Sequence, residues 1–225
     1  MNIHSRTVIN SEGIYNDLLH KIITLEYEPG TGISENELCE VYGATRHAIR
    51  GALAILKEKG FIEVFPQKGT YVSLIDLKMI DDILFLRSAI EQETLHALLK
   101  NEDNSQLLKE LRECLEKQNQ SYAQTDGMAK FYELDEEFHS LLLKAAGRES
   151  VQKLYQDSYL HVRRWRNMEV GALKRMASLP HEHEDILDAI ERHDENEARR
   201  LMFNHIDSVS QFGEEMKSKY PKYFI

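Results

Sequence analysis

The chain has 225 residues, a net charge of −10 from 28 Lys/Arg against 38 Asp/Glu, and two cysteines. It contains no run of about 18 apolar residues, and its opening MNIHSRTVINSEG lacks the apolar stretch of a signal peptide, so no membrane partner and a cytoplasmic location are expected. Cys39 and Cys114 have no close-spaced thiol partner, which excludes a disulfide framework or zinc knuckle, and the acidic balance excludes a generic nucleic-acid coat while leaving room for a local footprint.

In chain order, Ile14, Leu18, Ile22 and Leu25 recur at helical spacing and predict a helix over 11–25, broken by Glu28-Pro29-Gly30. Ser34 with Glu37 three residues on forms a capping box for a short second helix whose Leu38 and Val41 should face inward. A tight Tyr42-Gly43-Ala44 turn follows, and Thr45 caps a third helix. On that helix Ile49, Leu53 and Leu56 form the apolar stripe, while Arg46, His47 and Arg50 fall on the opposite side. Gly60 ends it, and 61–65 and 70–74 read as strands around a Pro66-Gln67-Lys68-Gly69 turn. Residues 1–75 therefore predict a winged helix-turn-helix domain. This segment holds seven Lys/Arg and nine Asp/Glu, so most of the acidity lies beyond it.

From Asp76 the pattern is helical to the end, with segments near 76–100, 105–124, 127–146, 149–170, 172–193 and 195–218. Short breaks separate them at Asn101-Glu102-Asp103-Asn104, Asp126-Gly127, Gly147-Arg148 and His193-Asp194. Residues 76–225 thus predict an all-α antiparallel bundle, and the chain as a whole is mainly α. The boundary near Ile75 is drawn by the change of period, since no Gly/Ser-rich linker is present.

Within the bundle, Asp135 and His139 are four apart and share a face with Phe131, Leu142 and Ala146. His183 lies with Ile186, Leu187 and Ile190, and His205 with Leu201, Met202 and Ser208. A carboxylate and imidazoles on apolar faces are costly to desolvate, and a metal would pair the charge and use the imidazole lone pairs. The plainer alternatives stay open: an inward histidine is more often hydrogen-bonded core, and an i,i+4 pair can be only an ion pair. His181 competes with His183, and the DILDAI register favours His183. His4, His20, His96, His161 and His193 read as core or surface.

These residues resemble the GntR transcription regulators, and the bundle resembles their FadR-type ligand-binding (FCD) domain, over about residues 11–215. The family's proline-glycine turn, its Ser-Arg-Thr-Pro-x-Arg-Glu-Ala-Leu recognition helix and its wing glycine are matched by Pro29-Gly30, Thr45-Arg46-His47-Ala48-Ile49-Arg50-Gly51-Ala52-Leu53 and Gly69. Its bundle motifs, Arg-x-x-x-Glu, Asp-x-x-x-His and two later histidines, are matched by Arg87 and Glu91, by Asp135 and His139, and by His183 and His205. His47, Ala48 and Gly51 depart from the family's Thr, Pro and Glu, which alters the groove-facing surface; Gly51 inside a helix costs about 1 kcal/mol against alanine.

The resemblance implies a ligand-responsive DNA-binding regulator, with repressor logic as the default. The first turns of the Thr45 helix would enter the major groove, where Arg46 or Arg50 pairs with guanine or clamps phosphate, and Lys68 and Gly69 at the wing would approach the minor groove or backbone. The resemblance also implies one divalent metal, zinc, nickel or manganese, on Asp135, His139, His183 and His205, with Arg87 clamping a small carboxylate effector such as a sugar acid or hydroxy acid. Arg163, Arg164 and Arg166 are expected either to line that cavity or, for at least two of them, to form an exposed basic face. A homodimer reading a pseudo-palindromic operator would couple the halves through 74–78. Two alternatives remain: a metal-dependent enzyme using the same Asp/His site, and a metal-free structural bundle that only dimerises the reader.

Overall fold

The computed structural model describes residues 10–101, 103–121, 127–173 and 179–225. The predicted breaks at Glu102 and Asp126, and His4, lie outside the described residues.

The first helix, α1 (Ser11–Ile23), starts where Asn10 Oδ1 accepts the Gly13 N–H at 2.8 Å, and it buries Ile14, Leu18, Ile22 and Ile23. Leu25, expected inward on the same helix, lies beyond its end at φ 64°, and Ile23 takes the buried place. In α2 (Glu35–Tyr42), Ser34 Oγ accepts from Glu37 N, and Gly43 closes the helix in the left-handed conformation at φ 59°. In α3 (Arg46–Glu58), Thr45 Oγ1 accepts from Ala48 N at 3.3 Å. Each cap satisfies an amide that the helix itself leaves unpaired.

Val41 was expected inward on α2 and is instead 68% exposed. The packed side of this short helix is Leu38, Cys39 and Tyr42, whose directions centre away from Val41, and the Tyr42 hydroxyl donates to Asp17 Oδ2 at 2.6 Å on α1. Beneath α1 and α3 the core is completed by Phe61, Ile62 and Val72. Close packing of the two helices also accounts for Gly51. A Cβ there would lie 2.8 Å from Ser11 Oγ and 3.2 Å from Ser11 Cβ, so glycine is what lets the start of α1 rest on α3.

The wing is a hairpin of β2 (Ile62–Phe65) and β3 (Gly69–Val72), with Val64 opposite Thr70. Pro66 opens its turn, Gln67 takes φ 63°, and the Tyr71 hydroxyl donates to Lys68 O at 2.9 Å. A third strand, β1 (Gly32–Ile33), pairs with the outer side of β3 and gives the order β1-β3-β2. Two residues are too few to show alternation in the sequence, which is why this strand was not foreseen.

The remaining helices are α4 (Leu77–Leu98), α5 (Ser105–Ser121), α6 (Gly127–Ala145), α7 (Glu149–Leu173), α8 (Leu179–Glu191), α9 (Glu195–Asp207) and α10 (Gly213–Lys219). The break expected at 171 falls inside α7, and the single helix expected over 195–218 is two. Between them the Ser208 hydroxyl donates to His205 O and the Ser210 hydroxyl to Asp207 O, while their amides close turns onto Asn204 and Asp207. Serine hydroxyls that take up backbone carbonyls in this way compete with helix propagation.

The chain forms two compact units. One combines the segment up to Leu77 with Leu160–Met168 and Gly213–Ile225; the other combines Lys78–Tyr159 with Glu169–Phe212. In the first, His161 stacks on Phe61 with ring centroids 4.1 Å apart and bonds Lys59 O, Asn167 donates to Ile23 O, and the final residues pair with Ile75. In the second, α5 packs on α6 and α8, and α8 on α9.

Candidate functional site

Of the expected DNA-facing residues, Thr45, Arg46, His47 and Arg50 lie on the exposed side of α3's first two turns, opposite buried Ile49 and Leu53. Lys68 and Gly69 are exposed at the hairpin turn, with Gly69 at φ 117°. Two residues of α2 that sequence reasoning passed over hold the arginines: Arg46 Nη2 donates to Asn36 Oδ1 at 3.0 Å, and Arg50 Nε to Glu35 Oε2 at 2.9 Å.

In the second unit, α6, α8 and α9 bring Asp135, His139, His183 and His205 together, all buried, with their candidate ligand atoms within 4.8 Å of one another. His181 is exposed, so of the two neighbouring histidines His183 is the inward one. His183 Nε2 lies 3.2 Å from His205 Nε2 and 3.8 Å from Asp135 Oδ1; His139 Nε2 lies 3.3 Å from His205 Nε2.

The opposite ring nitrogens explain this arrangement. His139 Nδ1 bonds Glu91 Oε2, His205 Nδ1 lies 2.8 Å from Glu182 Oε2, and His183 Nδ1 lies 2.9 Å from Gln118 Oε1. Gln118 Nε2 donates to Leu134 O at 2.9 Å, which orients its oxygen toward His183. Each Nδ1 thus faces an acceptor and carries the proton, and each Nε2 turns a lone pair inward. Ring nitrogens 3.2 and 3.3 Å apart beside a carboxylate converge on one region as electron-pair donors, an arrangement that a cation would join. Three imidazoles and one carboxylate with oriented outer nitrogens fit a divalent metal.

The electrostatics agree with a neutral His139. Burial, followed by the Arg87 charge, lowers the His139 pKa to about 4. Burial alone would raise the Glu91 carboxyl, but His139 and Arg87 outweigh it and lower its pKa to about 2. Arg87 is itself buried; its Nε donates to Glu91 Oε1 at 2.6 Å, and it bonds the Tyr159 hydroxyl. A hydrogen-bonded chain therefore runs Tyr159, Arg87, Glu91, His139. Burial opposes the Arg87 charge, but Tyr159, Glu91 and Asp135 outweigh that and raise its pKa.

The exposed basic face expected of Arg163, Arg164 and Arg166 is not formed. Arg164 is 1% and Arg166 4% exposed, and Arg163 is half-buried. Arg164 donates to Ser73 O at 2.6 Å and Ser73 Oγ at 3.1 Å in the first unit, and burial lowers its pKa to about 10. Gln118 and Glu182 were not anticipated. Gln118 had a signal, because it continues the Leu111, Cys114, Leu115 stripe of α5 and is a fully buried polar residue in an apolar row. Glu182, in the charged HEHE run, had none.

Comparison with known proteins gives two family matches: "Bacterial regulatory proteins, gntR family" over residues 10–72 and "FCD domain" over residues 82–208. An uncharacterised HTH-type transcriptional regulator in an unstable DNA locus of Streptomyces ambofaciens is 32% identical over 96% of this chain and 89% of its own length. The HTH-type transcriptional repressor RspR of Escherichia coli K12 is 27% identical over 95% of this chain and 93% of its own. Among solved structures, a GntR regulator from Rhodococcus sp. RHA1 superposes with a TM-score of 0.73 at 18% identity, over 93% of this chain and 98% of that one, which establishes likeness of fold. Among the described residues no helix is long and apolar enough to cross a membrane.

Proposed function

The chain belongs to the gntR family of bacterial regulatory proteins and carries an FCD domain, so it is a transcriptional regulator and not an enzyme, and from that premise we propose how it works. It is a cytoplasmic repressor whose residues 1–75 read DNA and whose residues 76–225 bind an effector and dimerise the protein. Thr45, Arg46, His47 and Arg50 meet the major groove, and Lys68 and Gly69 meet the backbone or minor groove. Two such readers in a homodimer match a pseudo-palindromic operator.

The sensing half rests on one observation: three imidazoles turn Nε2 lone pairs onto a single point beside Asp135, while Glu91, Gln118 and Glu182 hold their outer nitrogens. Asp135, His139, His183 and His205 would hold one zinc, nickel or manganese ion; nitrogen and oxygen ligands do not choose among these, and availability decides. When bound, the metal supplies a positive centre that attracts a carboxylate. Arg87 supplies the second positive group, and its Glu91 link to His139 joins anion recognition to the centre. The effector is then a small organic acid, and it alters DNA binding to the extent that it prefers one state of the dimer.

Two measurements test this reading. Protein purified without chelator should contain about one metal per chain, and His183→Ala should lose it; an equally metal-free wild type removes the metal centre. Arg46→Ala should remain folded and lose retention of bound DNA in a gel shift; unchanged binding removes the assignment of the reading helix.

A further inference from the structure

We infer that Glu35 is a positioning residue which turns Arg50 from a phosphate clamp into a reader of guanine, leaving Arg46 as the cation that meets the backbone. The inference deepens the proposed DNA-reading role and rests on it.

The two arginines sit one helical turn apart on the exposed side of α3 and receive different partners from α2. Arg50 Nε donates to a carboxylate, Glu35 Oε2, at 2.9 Å; Arg46 Nη2 donates to a neutral amide oxygen, Asn36 Oδ1, at 3.0 Å. Glu35 and Asn36 are the first two residues of α2, directly after its Ser34 cap. There the helix dipole favours the Glu35 carboxylate.

A guanidinium has a side edge that includes Nε and an end edge made of its two terminal nitrogens. With Nε held by Glu35, the end edge of Arg50 keeps its full donor fork, and no other bond engages this side chain among the described residues. That fork fits guanine O6 and N7 in the major groove. The Arg50 side chain is 66% exposed and Glu35 37%, so the pair lies where a duplex would reach it and contributes little to fold stability. Its effect is on the charge and direction of Arg50. A carboxylate beside the guanidinium cancels much of its attraction for phosphate and itself repels phosphate, whereas the neutral guanine edge loses less and the geometry of the fork toward it is kept. Arg46, held by an uncharged amide, keeps its full charge for the backbone. Sequence information comes from base edges and affinity from phosphate, so the two arginines divide these tasks according to their α2 partners.

The test uses the full-length wild type, Glu35→Gln and Glu35→Asp. Duplexes selected by the wild type from a randomised pool should share a G·C pair in each half-site. Replacing that pair should weaken wild-type binding about tenfold to a hundredfold. For Glu35→Gln the penalty should shrink to a few-fold, while binding to unrelated duplex tightens and the slope of log K against log salt steepens by about two, one for each protomer of the dimer. Glu35→Asp keeps the charge but shortens the reach, and it should relax the preference as well. If both variants keep the wild-type base preference, even while binding all DNA more tightly, Glu35 is only a repulsive surface charge and the inference is overturned. Failure of the wild type to select any duplex, or full binding by Arg46→Ala and Arg50→Ala, would instead reject the DNA-reading role of α3 itself.

Discussion

Replacing Glu182 by glutamine should weaken the proposed metal centre without loosening the protein. Glu182 Oε2 accepts from His205 Nδ1 at 2.8 Å, and its side chain is 29% exposed, so it lies between the ligand and solvent. Glutamine keeps the shape and an oxygen acceptor but removes the charge that makes the imidazole a better donor to a cation. Loss of such an outer partner lowers metal affinity about tenfold to a hundredfold. At saturating metal this removes about 1.4–2.8 kcal/mol of ligand-linked stability. For a chain of this size the holo melting temperature should therefore fall by about 3–11 °C. The apo protein should change little, because water can replace the partner at a part-exposed site. Metal competition against a chromophoric chelator, with melting curves taken before and after chelator treatment, separates the two states. An unchanged metal affinity, or an apo melting temperature that falls as far as the holo one, would refute the view that Glu182 orients a ligand.

Two further predictions concern residues outside the centre. Gly51→Ala should gain about 1 kcal/mol of helix propensity but lose about 1–3 kcal/mol by pressing a Cβ onto Ser11, for a net loss of up to about 2 kcal/mol in urea denaturation; in a Ser11→Gly background the same change should stabilise. Cys114 is buried, its thiol donates to Leu134 O, and desolvation raises its pKa to about 12, so at pH 8 it stays protonated and only Cys39 should react with a thiol reagent until denaturant exposes the second. Rapid labelling of both thiols in the native protein would contradict that burial.

Much of the architecture was legible because it rests on local chemistry. Ser34 and Thr45 accept amides at helix starts, Gly43 closes α2, and the Pro66 turn joins two strands, each through contacts within a few residues. The inward registers of Asp135, His139, His183 and His205 followed from helical spacing in the same way. What escaped depends on distant packing. Val41 lost its inward place because Tyr42 turned toward Asp17 on α1, and Arg164 and Arg166 are buried, Arg164 against Ser73, 91 residues away in the chain. Gln118 and Glu182 take their meaning from histidines on other helices, and Glu35 and Asn36 from arginines on α3. Gly51, unexplained by its own helix, is explained by the start of another.

The composition of the first unit bears on how regulators of this kind can be recombined. A reader excised after Ile75 would leave behind the His161 ring that covers Phe61, the Asn167 amide that holds Ile23 O, the Arg164 guanidinium on Ser73 and the C-terminal residues that pair with Ile75. Fusing such a fragment to a foreign sensor would expose an aromatic face and strand backbone groups that are satisfied in the whole chain. A working chimera must therefore carry Leu160–Met168 and Gly213–Ile225 along with the winged segment, so the transferable module is assembled from three stretches of sequence.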